Sequence, residues 1–239
     1  MAERYDRFVY MDTDSDSPSN RSTLIQWLLE LCYCVLECQP TTLHVAVNLL
    51  DRYLSINKMN TPLEHLQCVG MCTLMIAGKL EENDARPTIV DLCRLCDLYT
   101  PQEIASMELA ILAELKFEVL VASANGFSDY YKQAIPSNPE LSELIDFLCD
   151  LSLISHKFLD FNTSQVAASA VWIALCATQQ DWDEELAALT GYTRTDLTPC
   201  SMIFKDLICT PSCPAETLDH LGRKYPLEKT LATLTKVLQ

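Results

Sequence analysis

Leu66-Gln67-Cys68-Val69-Gly70-Met71-Cys72-Thr73-Leu74-Met75-Ile76-Ala77-Gly78-Lys79-Leu80-Glu81-Glu82 reads as one helix that is apolar on nearly every side until its last turn. A helix without a polar face belongs in the middle of a bundle, so this stretch sets the fold as helices packed around a central helix. Its single cation, Lys79, arrives at the end of the apolar run. Further on, Ser106-Met107-Glu108-Leu109 places a single Glu on a second apolar helix. An apolar face with one charge suits docking to another protein's backbone groups better than it suits bond-making. The alternative is that Lys79 and Glu108 pair with each other on a solvated face, where ion pairs contribute little.

Working outward, Leu24, Trp27, Leu28, Leu31 and Val35 recur at helical steps in a first helix from Arg21. Pro40 breaks it and starts a second, with Leu43, Val47, Leu50 and Leu54 on one face. A connector from Asn57 to Pro62 leads to the central helix, expected over residues 63–82. Pro87 opens a short fourth helix, and Thr100-Pro101-Gln102-Glu103 signals the start of a fifth. The second half repeats the rhythm, with helices expected at 127–134, 139–158, 164–178, 182–189 and 195–208. The third of these is rich in small residues (Ala167, Ala168, Ala170, Ala174, Ala177), which again marks a central helix. The expected architecture is therefore all-α, with two similar five-helix units. The segments are an arm at 1–20 anchored by Arg7-Phe8-Val9-Tyr10, a first unit at 21–122, a second at 123–210, and a tail at 211–239. Within the tail, 214–223 reads as a helix and the remainder as polar and uncommitted.

Composition narrows the function. Seventeen basic against thirty-three acidic residues give a formal net charge of −16. A reader of DNA or RNA needs a basic footprint to neutralise phosphates, so nucleic-acid binding is disfavoured. No run reaches the ~18 apolar residues of a membrane span, and no signal peptide opens the chain. The twelve cysteines are then expected to stay reduced. Cys93-Arg94-Leu95-Cys96 has metal-ligand spacing but no second pair, and His44, His65, His156 and His220 are scattered, so no metal site is expected. With five glycines and no catalytic or phosphate-loop motif, no enzyme and no cofactor is expected.

Taken together, Arg21-Ser22-Thr23-Leu24-Ile25-Gln26-Trp27-Leu28, Thr42-Leu43-His44-Val45-Ala46-Val47-Asn48-Leu49-Leu50-Asp51-Arg52-Tyr53-Leu54, the Lys79 and Glu108 segments, Leu151-Ser152-Leu153-Ile154 and Gly191-Tyr192-Thr193 resemble the cyclin family. They are nearer its A, B and E classes than its D class, and cover roughly residues 20–210. Length and the short amino terminus resemble gammaherpesvirus cyclins. The resemblance implies two tandem cyclin boxes and a regulatory subunit that binds and activates a cell-cycle cyclin-dependent kinase, with the nucleus and cytoplasm of the cell, a host cell if the chain is viral, as its expected place. It assigns the kinase-contacting surface to Lys79 and Glu108, with Ile76, Leu80, Leu112, Phe117 and Val119 around them. Lys79 would donate to kinase carbonyls and Glu108 would accept from main-chain N–H groups. Arg21 and Asp51 match family positions that tie the first two helices together. The alternatives are a transcription-kinase cyclin and a cyclin-fold adaptor that binds no kinase.

The resemblance also implies a groove for Arg-x-Leu peptides, formed by Asn20, Thr23, Leu24, Trp27, Glu30, Leu66 and Gln67. Trp27, Leu24 and Leu66 supply an apolar floor, and Glu30 a carboxylate for the peptide's Arg. Asn20 stands where the family usually has Met, and Thr23 where it usually has Ile. Each exchange removes apolar contact worth on the order of 1 kcal/mol, so weakened docking of substrates and inhibitors is expected. The competing reading makes Trp27 and Leu24 simply core. Arg21-x-x-Leu24 and Arg194-x-x-Leu197 have the short form of a mitotic destruction signal, but both fall within or at the start of helices. With no long leader expected, escape from programmed degradation follows. Leu36-Glu37-Cys38-Gln39 ends in Pro40, which departs from the D-class retinoblastoma-binding pattern.

Overall fold

The computed structural model describes residues 20–57, 65–83, 86–96, 98–209 and 221–238. The expected arm with its Arg7-Phe8-Val9-Tyr10 anchor, the connector beyond Asn57 and most of the expected 214–223 helix lie outside them. Eleven α-helices and no strand occur among the described residues. The chain divides between Val121 and Ala122 into two compact units.

In the first unit, α1 (Asn20–Glu30) continues into a π-helical turn (Leu31–Val35) and is followed by α2 (Pro40–Ile56), α3 (Leu66–Glu81), α4 (Ile89–Leu95) and α5 (Pro101–Glu114). α3 is the centre, with α1, α2 and α5 packed against it, and residues 68–78 are all buried. Two glycines let neighbours approach closely. A Cβ at Gly70 would stand 3.1 Å from Leu24 Cδ1, and one at Gly78 would stand 2.5 Å from Pro87 Cδ.

Local chemistry fixes the helix ends. At α4 and α5 the hydroxyls of Thr88 and Thr100 accept from the backbone N–H of Asp91 and Glu103, whose carboxylates accept in return. The start of α2 is held from afar. Gln39 N–H and Thr42 Oγ1 both donate to Glu82 Oε1 at 2.6 Å, so the buried carboxylate that follows α3 caps α2.

In the second unit, α6 (Ala124–Lys132), α7 (Pro139–Ile154), α8 (Thr163–Ala177), α9 (Glu184–Thr190), α10 (Arg194–Cys209) and α11 (Leu227–Leu238) follow. The alanine-rich α8 is the centre, packed by α6, α7, α10 and α11. α6 starts three residues earlier than expected because Ser123 caps it, accepting from Gly126 N–H at 3.1 Å. α7 stops at Ile154, and Ser155 turns the chain into a short 3-10 helix (His156–Asp160). Trp182 stays outside α9, buried, donating from Nε1 to Tyr192 O at 3.3 Å.

The tail holds the main correction. Residues 227–238, read from sequence as polar and uncommitted, form α11, which buries Thr230, Leu234 and Leu238. Just before it, Asp150 of α7 is 1% exposed and accepts from Tyr225 OH at 2.7 Å and Lys224 Nζ at 2.9 Å. Burial, together with the Asp150 carboxylate, pushes the Tyr225 phenol upward, so it stays a neutral donor.

Hydrogen bonds from Thr100 N–H and Oγ1 hold the Glu103 carboxyl below its ordinary value. A lowered carboxyl adds stability that is full above the unfolded value of about 4.3 and is lost as pH falls through the folded value. Glu103→Ala is therefore expected to lower the thermal midpoint at pH 7, with the gap to wild type closing as pH drops below the ordinary carboxylate range. Melts across a pH series check this.

Candidate functional site

At its carboxyl end α3 comes to the surface, where Lys79 and Leu80 emerge, the latter 39% exposed. Beside it lies α5, which turns Ile104 and Ile111 into the core. Glu108, Leu109 and Leu112 occupy successive positions on the other side, at helical spacing. Lys79 Nζ meets Glu108 Oε1 in an ion pair whose lysine is half exposed. The anchoring beneath is apolar and weakly polar. Cys72 Sγ donates to Ile104 O at 3.5 Å, and Tyr53 OH reaches Met107 Sδ at 4.0 Å. A hydrogen bond with Cys68, together with burial, pushes the Cys72 thiol up, so it remains protonated there.

The chain leaves α5 through two successive left-handed residues, Lys116 (φ 52°) and Phe117 (φ 59°). For a bulky side chain this backbone costs about 1–2 kcal/mol. Phe117 N–H donates to Leu112 O at 2.8 Å, and Arg52 Nη1 donates to Glu118 O at 2.6 Å, which together fix the exit. The strained turn leaves Phe117 63% exposed. With Leu80, Leu109 (62%) and Leu120 (87%), the end of α3, α5 and the segment that follows it carry four exposed large apolar side chains besides the ion pair. Val119 and Leu112 are half-buried. Ile76, expected on this surface, is 3% exposed and packs into the core, because it lies one turn before α3 emerges. Leu109 and Leu120 were missed in the sequence reading. The signal for Leu109 was its place beside Glu108.

The second expected surface lies at the other end of α3. Asn20 and Thr23 are exposed along α1, with Trp27 and Glu30 partly so. Leu66 and Gln67, in the first turn of α3, are half-buried, and Gln67 Oε1 lies 3.9 Å from Cys96 Sγ. The core alternative holds for Leu24, which is 8% exposed and packs over Gly70. It does not hold for Trp27, which remains partly open.

Arg21 and Asp51 form a buried two-pronged ion pair between α1 and α2. Arg21 Nε donates to Asp51 Oδ1 at 2.7 Å, and Nη2 to Oδ2 at 2.8 Å. Their residues are 3% and 5% exposed, so the pair ties α1 to α2 away from water. Among the described residues no cluster of side chains could hold a metal, and no helix is long and apolar enough to cross a membrane.

Residues 2–120 match the cyclin amino-terminal domain, and residues 124–236 match the cyclin carboxy-terminal domain. This chain belongs to the cyclin family. It is 36% identical over 221 residues to cyclin-B1-2 of Arabidopsis thaliana, across 91% of this chain and 48% of that protein. To the putative cyclin-A3-1 of the same plant it is 34% identical over 226 residues, across 90% and 61%. The chain thus spans about half the length of the relatives it matches. In fold it resembles a viral cyclin from herpesvirus saimiri, with a TM-score of 0.67 at 21% identity over 87% of each chain. It also resembles a chain of the CAK complex of Chaetomium thermophilum, with a TM-score of 0.56 at 16% identity over 91% and 74%. The sequence likeness thus runs to A- and B-type cyclins, and the likeness to the herpesvirus protein is one of fold. Cyclins are regulatory subunits and not enzymes themselves.

The Arg21–Asp51 and Lys79–Glu108 pairs of this cyclin differ in what they do. Removing one partner of a buried pair leaves an uncompensated charge and costs about 3–5 kcal/mol, whereas an exposed pair contributes about 0–1 kcal/mol. Asp51→Ala is therefore expected to destabilise the first unit severely in urea unfolding, and Lys79→Ala to leave the midpoint nearly unchanged.

Proposed function

We propose that this cyclin binds and activates a cell-cycle cyclin-dependent kinase through the face formed by Lys79, Glu108, Leu80, Leu109, Leu112, Phe117 and Val119. The observation that carries the reading is the Lys79–Glu108 pair set among large exposed apolar side chains, which a monomer would be expected to cover. The pair is inexpensive to open from the lysine side, because the half-exposed Lys79 ammonium regains water when it separates from Glu108. Each member then takes a backbone partner on the kinase, Lys79 a carbonyl and Glu108 an N–H group. In a dry interface those bonds are worth more than the pair they replace. The cyclin performs no chemistry. It holds the kinase's mobile helix so that the kinase's own Lys–Glu pair and activation loop are in place. Sequence likeness to A- and B-type cyclins favours a cell-cycle kinase over a transcription kinase. One fold neighbour was solved within the CAK complex bound to ATP-gamma-S, so the same fold works inside a nucleotide-holding assembly. Its proposed site of action is the nucleus and cytoplasm of the cell.

The test mixes the purified chain with an unphosphorylated cell-cycle kinase and follows phosphorylation of a histone H1-type substrate. Activity is expected with wild type and is lost in Lys79→Ala and Glu108→Ala, each weakening kinase binding by about 2–5 kcal/mol while staying folded. Binding to no cell-cycle kinase would transfer the reading to a transcription-kinase cyclin or to an adaptor without a kinase.

The α1 groove is the second part of this proposal. Polar Asn20 and Thr23 on its exposed rim leave Trp27 and Leu66 as its apolar floor, so Arg-x-Leu substrates and inhibitors dock weakly. Fluorescence anisotropy with a labelled Arg-x-Leu peptide is expected to give an affinity about 5- to 30-fold below that of an A-type cyclin, from roughly 1–2 kcal/mol of missing contact. The double variant Asn20→Met, Thr23→Ile recovers it. Equal affinity in the wild-type chain would overturn this part.

A further inference from the structure

The segment joining α1 to α2 is irregular in a way that the docking surfaces do not use. α1 ends in a π-helical turn closed by Leu36 N–H donating to Leu31 O at 2.9 Å, and Glu37 then takes a left-handed φ of 52°. The reversal brings Cys38 back over Cys32, whose carbonyl accepts from Cys38 N–H at 2.9 Å. Both thiols are free, both side chains are buried, and the two hydrogen-bond to each other. The next residue, Gln39, is pinned through its N–H to Glu82, so the loop cannot swing the sulfurs apart without breaking the cap of α2.

We propose that Cys32 and Cys38 are a peroxide-sensitive dithiol that closes reversibly to a disulfide. The backbone hydrogen bond between the two residues brings them together, and both sulfurs lie in the same turn, Cys32 Sγ 4.0 Å from Gln39 O and Cys38 Sγ 3.9 Å from Leu36 O. Cys38 is the attacking sulfur. The hydrogen bond from Cys32 favours its thiolate and outweighs the opposing effects of burial and of the Glu82 charge, holding its thiol below the ordinary value. The Cys38 thiolate attacks one oxygen of hydrogen peroxide and the O–O bond breaks. A sulfenic acid forms, and the departing hydroxide takes a proton to leave as water. Cys32 sulfur then attacks the sulfenic sulfur and the S–O bond breaks. The hydroxyl leaves with the Cys32 proton as a second water. Two thiols supply two electrons, and one peroxide is reduced to two waters.

The rival dithiol, Cys68 with Cys72, is set differently. Its Cys68 thiol is likewise held below the ordinary value by a hydrogen bond from Cys72, but the Cys72 thiol is already engaged with Ile104 O, and both lie within α3, a continuous helix with no reversal of the chain between them. Cys34, on the same π-helical turn, is exposed and is the competing thiol that the experiment has to separate from the pair.

The experiment treats the full chain with hydrogen peroxide, alkylates the remaining thiols under denaturing conditions and maps the tryptic peptide covering residues 22–52, which contains Cys32, Cys34 and Cys38. The expected result is loss of two alkylatable thiols at Cys32 and Cys38, a mass lower by two hydrogens, and full return with dithiothreitol. Cys34 remains alkylated throughout. Cys34→Ser is expected to leave the reaction unchanged, and Cys32→Ser to stop it at a sulfenic acid trapped by dimedone on Cys38. A link that includes Cys34, or Cys32 and Cys38 still alkylatable after Cys34 has oxidised, overturns the proposal. Because the readout is a covalent map of the chain alone, its failure leaves the kinase reading untouched.

Discussion

A helix without a polar face has to be surrounded, and α3 imposes that requirement on the whole first unit. α1, α2 and α5 close around it, and the close approaches at Gly70 and Gly78 show how little room remains. Polar or recognisable side chains on such a helix have only its two ends to occupy. Both candidate surfaces are found there. Leu66 and Gln67 join the exposed edge of α1 at the amino end, while Lys79 and Leu80 join α5 at the carboxyl end. Twelve residues of helix separate Gln67 from Lys79, roughly 18 Å at 1.5 Å per residue. One buried rod therefore spaces the two surfaces rigidly.

The ties around that rod are few and strong. The Arg21–Asp51 pair fastens α1 to α2, and Glu82, just beyond the end of α3, caps α2 through Gln39 and Thr42. The second unit reaches the same architecture with different chemistry. Its central α8 is covered without a bulky residue at most positions, since small side chains let α6, α7 and α10 approach closely. Its buried carboxylate, Asp150, is satisfied by Tyr225 and Lys224 and fastens the segment ahead of α11 to α7. In each unit a buried acid fixes where one element meets the next, and its partners come from distant parts of the chain.

Helix existence was legible almost throughout, because the 3.6-residue period and the caps at Thr88, Thr100, Asn138 and Asp183 are local signals. Boundaries slipped where a cap resembled a turn, as at Ser123-Ala124-Asn125-Gly126, whose Asn and Gly read as loop. α11 was missed although Leu227, Leu231, Leu234 and Leu238 keep the period, because its other positions are mostly polar. The π-helical turn after α1 has no recognised sequence signature. It was read as plain helix, and the return of Cys38 to Cys32 went unseen with it.

The sequence by itself determined an all-α chain of two similar units, a central apolar helix in each, and the residue types available for docking. These are properties of composition and short-range periodicity, which each segment carries alone. Only the tertiary structure decided that Lys79 and Glu108, 29 residues apart, meet as a pair. It also decided that Ile76 is core while Leu109 and Phe117 stand open, and that Glu82 serves α2 instead of its own helix. Those outcomes depend on how far one helix is rotated and shifted against another. That is set by the packing of both partners together, and no local pattern encodes it.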